Sequence, residues 1–311
     1  TVAGIMHNKF IIIDANSTNN SWVMGGSTNW TNPTNLFNDY NNIIFIQDKS
    51  IAQAYTAEFN EMWGGVFGSN KEDNTPHLFN VNGTIMEVYF SPSDQTTSKI
   101  LKFIEDVNYT LEFGLLSFTR DDLGNSVINK DNEFGVNVRG IIEQQNVTGS
   151  EYDNLINNGV NVQTHMGIPN QFHHKYAIAD VGVSASNPSV LTGSHNWSTN
   201  AESNSDENTI IIHDHIIASI YLQEFEKRWG ELATYVNELS DLEINVFPNP
   251  SSRKVNINTS VGISDIKLYN IEGKFLKTIG TTSFEISSSG IYFVKITFSN
   301  GNYTIRKVII Q

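Results

Sequence analysis

A short pattern that occurs twice sets the frame for this chain. The first copy reads Met6-His7-Asn8-Lys9-Phe10-Ile11-Ile12-Ile13-Asp14 and continues to Gly25-Gly26-Ser27-Thr28-Asn29-Trp30. The second reads His173-His174-Lys175-Tyr176-Ala177-Ile178-Ala179-Asp180 and continues to Thr192-Gly193-Ser194-His195-Asn196-Trp197. Each is followed by an apolar run and a helical pattern closed by Trp-Gly, at Trp63-Gly64 and Trp229-Gly230. His, Lys, Asp and Trp-Gly all recur at one offset, 166 residues. An internal duplication on this scale makes two similar lobes the first expectation for the fold.

One residue separates His from Lys in each copy, so on a strand both side chains leave the same face. Two such strands meeting about a pseudo-twofold axis bring two imidazoles, two ammonium groups and two Asn amides to one point. That is a phosphate site with acid–base equipment. The duplicated His-x-Lys-x4-Asp with its trailing Gly-Ser-x-Asn resembles the phospholipase D superfamily, which includes phospholipases, cardiolipin hydrolases and endonucleases.

The resemblance implies roles. One histidine attacks phosphorus to give a phosphohistidine while the other protonates the leaving oxygen and then activates water, so the two titrate as a coupled pair. By family precedent His7 is the nucleophile and His173 the acid; the residues alone do not break that symmetry. Lys9 and Lys175, with Asn29 and Asn196, hold the non-bridging oxygens, and Ser27 and Ser194 are candidates for the same task. Asp14 and Asp180 end the motif strands and are read as structural, holding the strand turn by local hydrogen bonds. A carboxylate after the Gly-Ser-x-Asn loop orients the histidine in this family. Glu207 fills that place in copy two. In copy one a Tyr stands at the place of the Glu, and Asp39 is the nearest substitute. The family works without metal or other cofactor, and the sequence has no cluster with metal-ligand spacing.

Flanking residues have plain readings. His174 and His195 neighbour the motif without pattern of their own, and Trp30 and Trp197 fit packing under the loop as well as substrate contact. In His213-Asp214-His215 the Asp is best placed as a helix cap.

Around the motifs, strands alternate with helices, which argues for an α/β sandwich with a largely parallel sheet. Phe10 to Ile13 reads as a strand buried on both faces. Ser50 is placed as the cap of a helix that stops at Gly64. Residues 1–64 are read as the C-terminal part of a first phospholipase D-like lobe, 65–84 as a connector and 85–240 as the second lobe. About ninety residues of strand and helix precede His173 within its lobe and six precede His7. The expectation is therefore an N-terminally truncated first lobe with an exposed sheet edge.

Residues 243–311 change character, with short alternating strands separated by Gly, Asn and Ser, as in a small all-β sandwich. The order Phe247-Pro248-Asn249-Pro250, Leu268-Tyr269-Asn270-x-x-Gly273-Lys274, Gly290-Ile291-Tyr292-Phe293-Val294-Lys295 and a Lys-Val-Ile-Ile end is similar to the C-terminal sorting domain of the type IX secretion system of Bacteroidetes. It implies export across the outer membrane, with the type IX secretion machinery as partner, to a secreted or cell-surface location.

Charge narrows the substrate. The chain carries a net charge of −14, and residues before Glu243 hold 11 basic against 29 acidic side chains, or −18. An acidic body is repelled by long polyanions, so a phospholipid is the favoured phosphodiester substrate. The alternatives are an endonuclease cutting DNA or RNA by the same chemistry and, in another class, a non-catalytic surface binding protein. No cysteine is present for disulfides or thiolate sites.

Overall fold

The structure, a computed structural model, describes residues 4–31, 34–183, 186–234, 244–259, 262–271, 273–298 and 303–311. Contacts divide the chain into two units, 1–232 and 233–311.

The first unit opens with a three-stranded antiparallel sheet of β1 (Ile11–Ile13), β2 (Trp22–Gly26) and β3 (Ile43–Gln47), with the short α1 (Thr34–Phe37) before β3. Helix α2 (Lys49–Trp63) follows and stops at Gly64. Its cap is Asp48 rather than Ser50: the Asp48 carboxylate accepts the Ile51 amide at 2.9 Å, which places the helix start two residues earlier. A connector then leads to β4 (Leu78–Val81) and β5 (Thr84–Ser91).

The larger sheet has eight strands. Beyond β4 and β5 it takes β6 (Thr110–Leu115), β7 (Asn137–Ile142), β8 (Asn161–Thr164), β9 (Lys175–Ala179), β10 (Ser189–Gly193) and β11 (Glu207–His213), in the order β4-β5-β11-β10-β9-β6-β7-β8. Helices α3 (Thr96–Glu105), α4 (Asp121–Asp131), α5 (Tyr152–Asn157), α6 (Thr199–Ser203) and α7 (His215–Thr234) connect them. Contrary to the largely parallel expectation, only β6–β7 and β7–β8 run parallel. Those are the pairs joined through α4 and α5; β9, β10 and β11, the last two joined through the short α6, pair antiparallel.

Two cores flank this sheet. On one face Ile100, Phe103 and Ile104 of α3, Leu123 and Val127 of α4 and Leu155 of α5 pack on Leu111, Phe113 and Leu191. On the other, Phe225 of α7, with Ile51, Ala52 and Tyr55 of α2, packs with Ile178, Ile210 and Ile212, and Val23 and Ile46 of the small sheet join the same cluster. The two sheets are therefore held together by one shared apolar layer containing α2 and α7. Burial of this kind, at about 25 cal/mol per Å² of apolar surface, is what fixes the lobes against each other.

The β1-β2-β3-α2 succession matches β9-β10-β11-α7 in order and pairing. Their surroundings differ. All five residues of β9 are buried between β10 and β6, whereas β1 pairs only with β2 among the described residues, and Ile11, Ile13, Ile43 and Phe45 are exposed. The expectation that Phe10 to Ile13 is covered on both faces is thus corrected: a central strand and an edge strand carry the same motif.

In the second unit, β12 (Asn245–Phe247), β13 (Lys254–Asn258) and β16 (Ser283–Glu285) form one sheet, and β14 (Ile263–Asn270), β15 (Phe275–Thr278), β17 (Gly290–Phe298) and β18 (Tyr303–Ile310) form another. Val255, Ile257 and Phe284 of the first sheet meet Leu268, Val294, Ile296 and Val308 of the second in a single core, the β-sandwich expected from the alternation. The sequence after Trp229-Gly230 reads as a helix tail from Glu231 to Leu239; α7 is described to Thr234, and the rest of that tail lies outside the described residues.

Asp14 and Asp180 both sit in the left-handed region, at φ 49° and 55°. The buried Asp180 carboxylate accepts the amides of Asn108, Tyr109 and Thr110, tying β9 to the start of β6, while the Asp14 side chain is exposed. Asp180→Ala should therefore cost roughly 3 kcal/mol more than Asp14→Ala, since both lose the same turn preference and only one removes a buried carboxylate that holds three main-chain amides. Urea unfolding followed by tryptophan fluorescence checks this, because all five tryptophans lie at or before Trp229 and report only the first unit.

Candidate active site

The strands bearing the two motifs meet at one place. His7 donates from Nδ1 to Glu207 Oε2 at 2.6 Å, and His173 donates from Nδ1 to Asn41 Oδ1 at 2.8 Å. Each histidine is thus held by a residue of the other copy. A carboxylate and an amide oxygen can only accept here, so each ring carries a proton on Nδ1. Main-chain bonds cross in the same way: the His7 amide donates to Asp206 O at 3.0 Å and the His173 amide to Tyr40 O at 2.9 Å.

The residues between His and Lys repeat the crossing. Asn8 Oδ1 accepts from Asn208 Nδ2 at 2.8 Å, and His174 Nδ1 accepts from Asn42 Nδ2 at 3.2 Å. His174 is buried between the rings of Phe172 and Tyr176, so it supports the site from below. Lys9 and Lys175 donate from Nζ to the main-chain oxygens of His7 and His173 at 2.6 and 2.7 Å. Both ammonium groups are buried beside the imidazoles.

The electrostatics follow from that crowding. Burial lowers the Lys9 pKa to about 8, against an opposing pull from Glu207. Lys175 is lowered by burial and then by the Lys9 charge. His173 is pushed down to about 2 by burial and by the charges of Lys175, Lys9 and His7. With its pKa lowered so far, His173 is a neutral base.

Asn29 reaches the site, with Nδ2 3.4 Å from His173 Nε2, and the buried Asn196 Oδ1 has no protein partner. The serines do something else. Ser27 and Ser194 are fully buried; Ser27 Oγ donates to Asn41 Oδ1 at 3.0 Å, and each Oγ accepts a main-chain amide at 3.0 Å, from Asn42 and Asn208. The Ser27 proton is spent on Asn41, and both hydroxyl oxygens are tied to the main chain at the start of β3 and β11. The preceding glycines are dictated by the same contact: a Cβ on Gly26 or Gly193 would stand 2.3 or 2.2 Å from the carbonyl oxygen of Asn42 or Asn208.

Two orienting assignments change. Asp39 does not touch a histidine; its carboxylate accepts from Asn35 Nδ2 and the Gln171 amide, pinning the loop. Asn41 takes that role on His173, and Glu207 serves His7. The 166-residue offset of the motif, applied to Glu207, points to Asn41; placing Tyr40 opposite Glu207 uses the 167-residue offset of the Ser and Asn pairs instead. Trp197 is buried against Phe113 and Phe118, whereas Trp30 is 48% exposed. Asp214 caps α7 by accepting the Ile216 and Ile217 amides. His195 Nε2 lies 3.5 Å from Glu202, away from the motif histidines' partners.

Comparison with known proteins gives the chain a family. The family described as cardiolipin synthase, PLD-like domain, matches residues 1–63 and 100–229, and the chain belongs to that phospholipase D-like family. Residues 245–311 match the secretion system C-terminal sorting domain. The chain is 32% identical over 141 residues to the mitochondrial cardiolipin hydrolase of Mus musculus, covering 45% of this chain and 60% of the relative. It is 33% identical over 141 residues to that of Xenopus tropicalis, covering 45% and 63%. The chain thus spans about 60% of the length of these relatives. The crystal structure of phosphatidylserine synthase from Haemophilus influenzae shares the fold at a TM-score of 0.51 and 14% identity, covering 71% of this chain and 61% of that one. With its sorting domain, this phospholipase D-like protein is directed to secretion or the cell surface.

Because His173 is neutral when folded and takes a proton near pH 6.5 when unfolded, its burial costs stability as pH falls below about 6.5, with a slope of about 1.4 kcal/mol per pH unit. Urea titrations between pH 7 and 4 should show a shallower acid limb in His173→Asn than in the parent.

Proposed function

We propose that the chain is an exported phosphodiesterase acting through a phosphohistidine, with phospholipid as the favoured substrate. The observation that supports it most is the pair of Nδ1-anchored imidazoles flanked by two buried lysines. The phosphate of the substrate lies between Lys9 and Lys175, with the Asn29 and Asn196 amides on its non-bridging oxygens. Burial, and after it the neighbouring cations, hold His173 neutral; the phosphate's negative charge offsets those cations, so His173 gains a proton as substrate binds. His7 Nε2 attacks phosphorus, and the bond to the leaving oxygen breaks as His173 supplies its proton. In the second step neutral His173 takes a proton from water, the water oxygen attacks phosphorus and the phosphorus–nitrogen bond opens.

The different backing of the two rings supports His7 as nucleophile. Phosphorylation at Nε2 leaves positive charge on the ring, and Glu207 offsets it. Asn41 carries no charge, which suits an acid that must give its proton up. The residues themselves supply nucleophile, acid and charge stabilisation, so the reaction is proposed to run without metal.

Lipid is favoured over nucleic acid by the acidic body outside the sorting domain. The test is hydrolysis of a zwitterionic phosphatidyl lipid and of DNA and RNA, in EDTA, by the full chain. Lipid turnover should persist in EDTA and vary little with salt, and His7→Ala or His173→Ala should lower it about 10²–10⁴-fold or more. Nucleic-acid cleavage that falls steeply with salt would reassign the substrate. Folded protein that turns over none of these would leave a binding protein.

A further inference from the structure

Beneath the His7–Glu207 pair lies a buried ion cluster that the chemistry above does not use. Lys71, from the connector and outside both stretches of the family match, places Nζ 2.6 Å from Glu58 Oε1 and 3.5 Å from Asp206 Oδ1. All three side chains are almost wholly buried. Glu58 Oε1 also accepts from Asn8 Nδ2 at 3.0 Å, and Asn8 directly follows His7. Asp206 directly precedes Glu207; its main chain takes the His7 amide and donates to Ile5 O, and its Oδ1 accepts the Gly68 amide at 2.8 Å. One cation therefore joins the carboxylate that grips the His7 strand to the residue that carries Glu207.

The other half of the site has a counterpart built from different parts. Glu224 stands 166 residues after Glu58, and its Oε1 lies 3.5 Å from Nε2 of His174, the residue following His173. Arg228 Nε lies 3.1 Å from the same Glu224 oxygen, and the Arg228 guanidinium lies 4.6 Å from the ring centre of Tyr40, the residue preceding Asn41. In both halves a cation links the helix carboxylate to the residue before the histidine's partner. Arg228 belongs to α7; the residue 166 before it is Met62, and the corresponding cation comes instead from the connector. Unrelated segments supplying one arrangement point to a requirement of the site rather than an accident of packing.

We infer that Lys71 is a positioning residue for the nucleophile: it holds Glu58 and Asp206 so that Glu207 stays in line with His7 Nδ1. The inference rests on the proposed role of His7, and the experiment separates the two. In the full-length chain, the His7 Nδ1–H resonance is identified by its loss in His7→Ala and followed by ¹H–¹⁵N NMR, alongside hydrolysis of a soluble phosphodiester. Lys71→Met should broaden or shift that resonance. It should also lower kcat about 10–100-fold with KM changed less than about threefold, the usual scale for partners that orient a functional histidine. Its pH–rate profile should shift, and Lys71→Arg should return resonance, kcat and profile towards the parent. If Lys71→Met does not fold, Glu58→Gln/Lys71→Met removes the bare carboxylate at Glu58 and is read in the same way. A folded variant of either kind with an unmoved His7 resonance and an unmoved profile overturns the inference. A moved resonance in a protein that hydrolyses no phosphodiester supports the positioning role and sinks the catalytic reading alone.

Discussion

The crossed hydrogen bonds of His7 to Glu207 and His173 to Asn41 are the contacts on which the site depends. Neither copy of the motif can orient its own histidine. Each needs the strand that follows the Gly-Ser-x-Asn loop of the other, and that strand is delivered only when the small and large sheets pack through their shared core. The apolar layer with Tyr55, Phe90, Tyr176 and Phe225 is therefore more than a source of stability. It sets the spacing at which two imidazoles and two lysines face one another, an arrangement that like-charge repulsion and desolvation would otherwise disperse.

Polar residues under the site carry the same logic inward. Asn8, Asn42, Asn208 and His174 are bonded across the pseudo-twofold, and Glu58 and Glu224 hold their far sides. Buried groups of this kind lose water's hydrogen bonds and are tolerated only when partnered, so each partner also fixes a geometry. The glycines that lead the Gly-Ser-x-Asn loops serve this network by letting one strand lie against a carbonyl that any Cβ would strike.

Much of this was legible in the residues. The repeated His-x-Lys spacing announced two strands presenting like side chains, and short alternating runs after Glu243 announced a sandwich. Three features were not. Strand direction escaped because α/β alternation is shared by parallel crossovers and by the antiparallel β9-β10-β11 run, and sequence does not show which strands become neighbours. The burial of Phe10 to Ile13 escaped because an apolar run specifies a strand but not whether a partner lies beside it. The partners of the histidines escaped because each was sought within its own copy and as a carboxylate: Asp39 has the chemistry for copy one, but His7 is held by Glu207 of copy two and His173 by the amide of Asn41.

The difference between Glu207 and Asn41 breaks a symmetry that the duplicated fold otherwise keeps. A site with one charged and one neutral backing has a front and a back. On the proposed mechanism a phosphodiester with unlike groups on its two ester oxygens enters in one sense, with the departing alcohol beside the ring that Asn41 holds and the retained half beside the ring that Glu207 holds. On that mechanism regiochemistry, the choice of which of two nearly equivalent ester bonds is cut, follows from a single side-chain exchange between the halves.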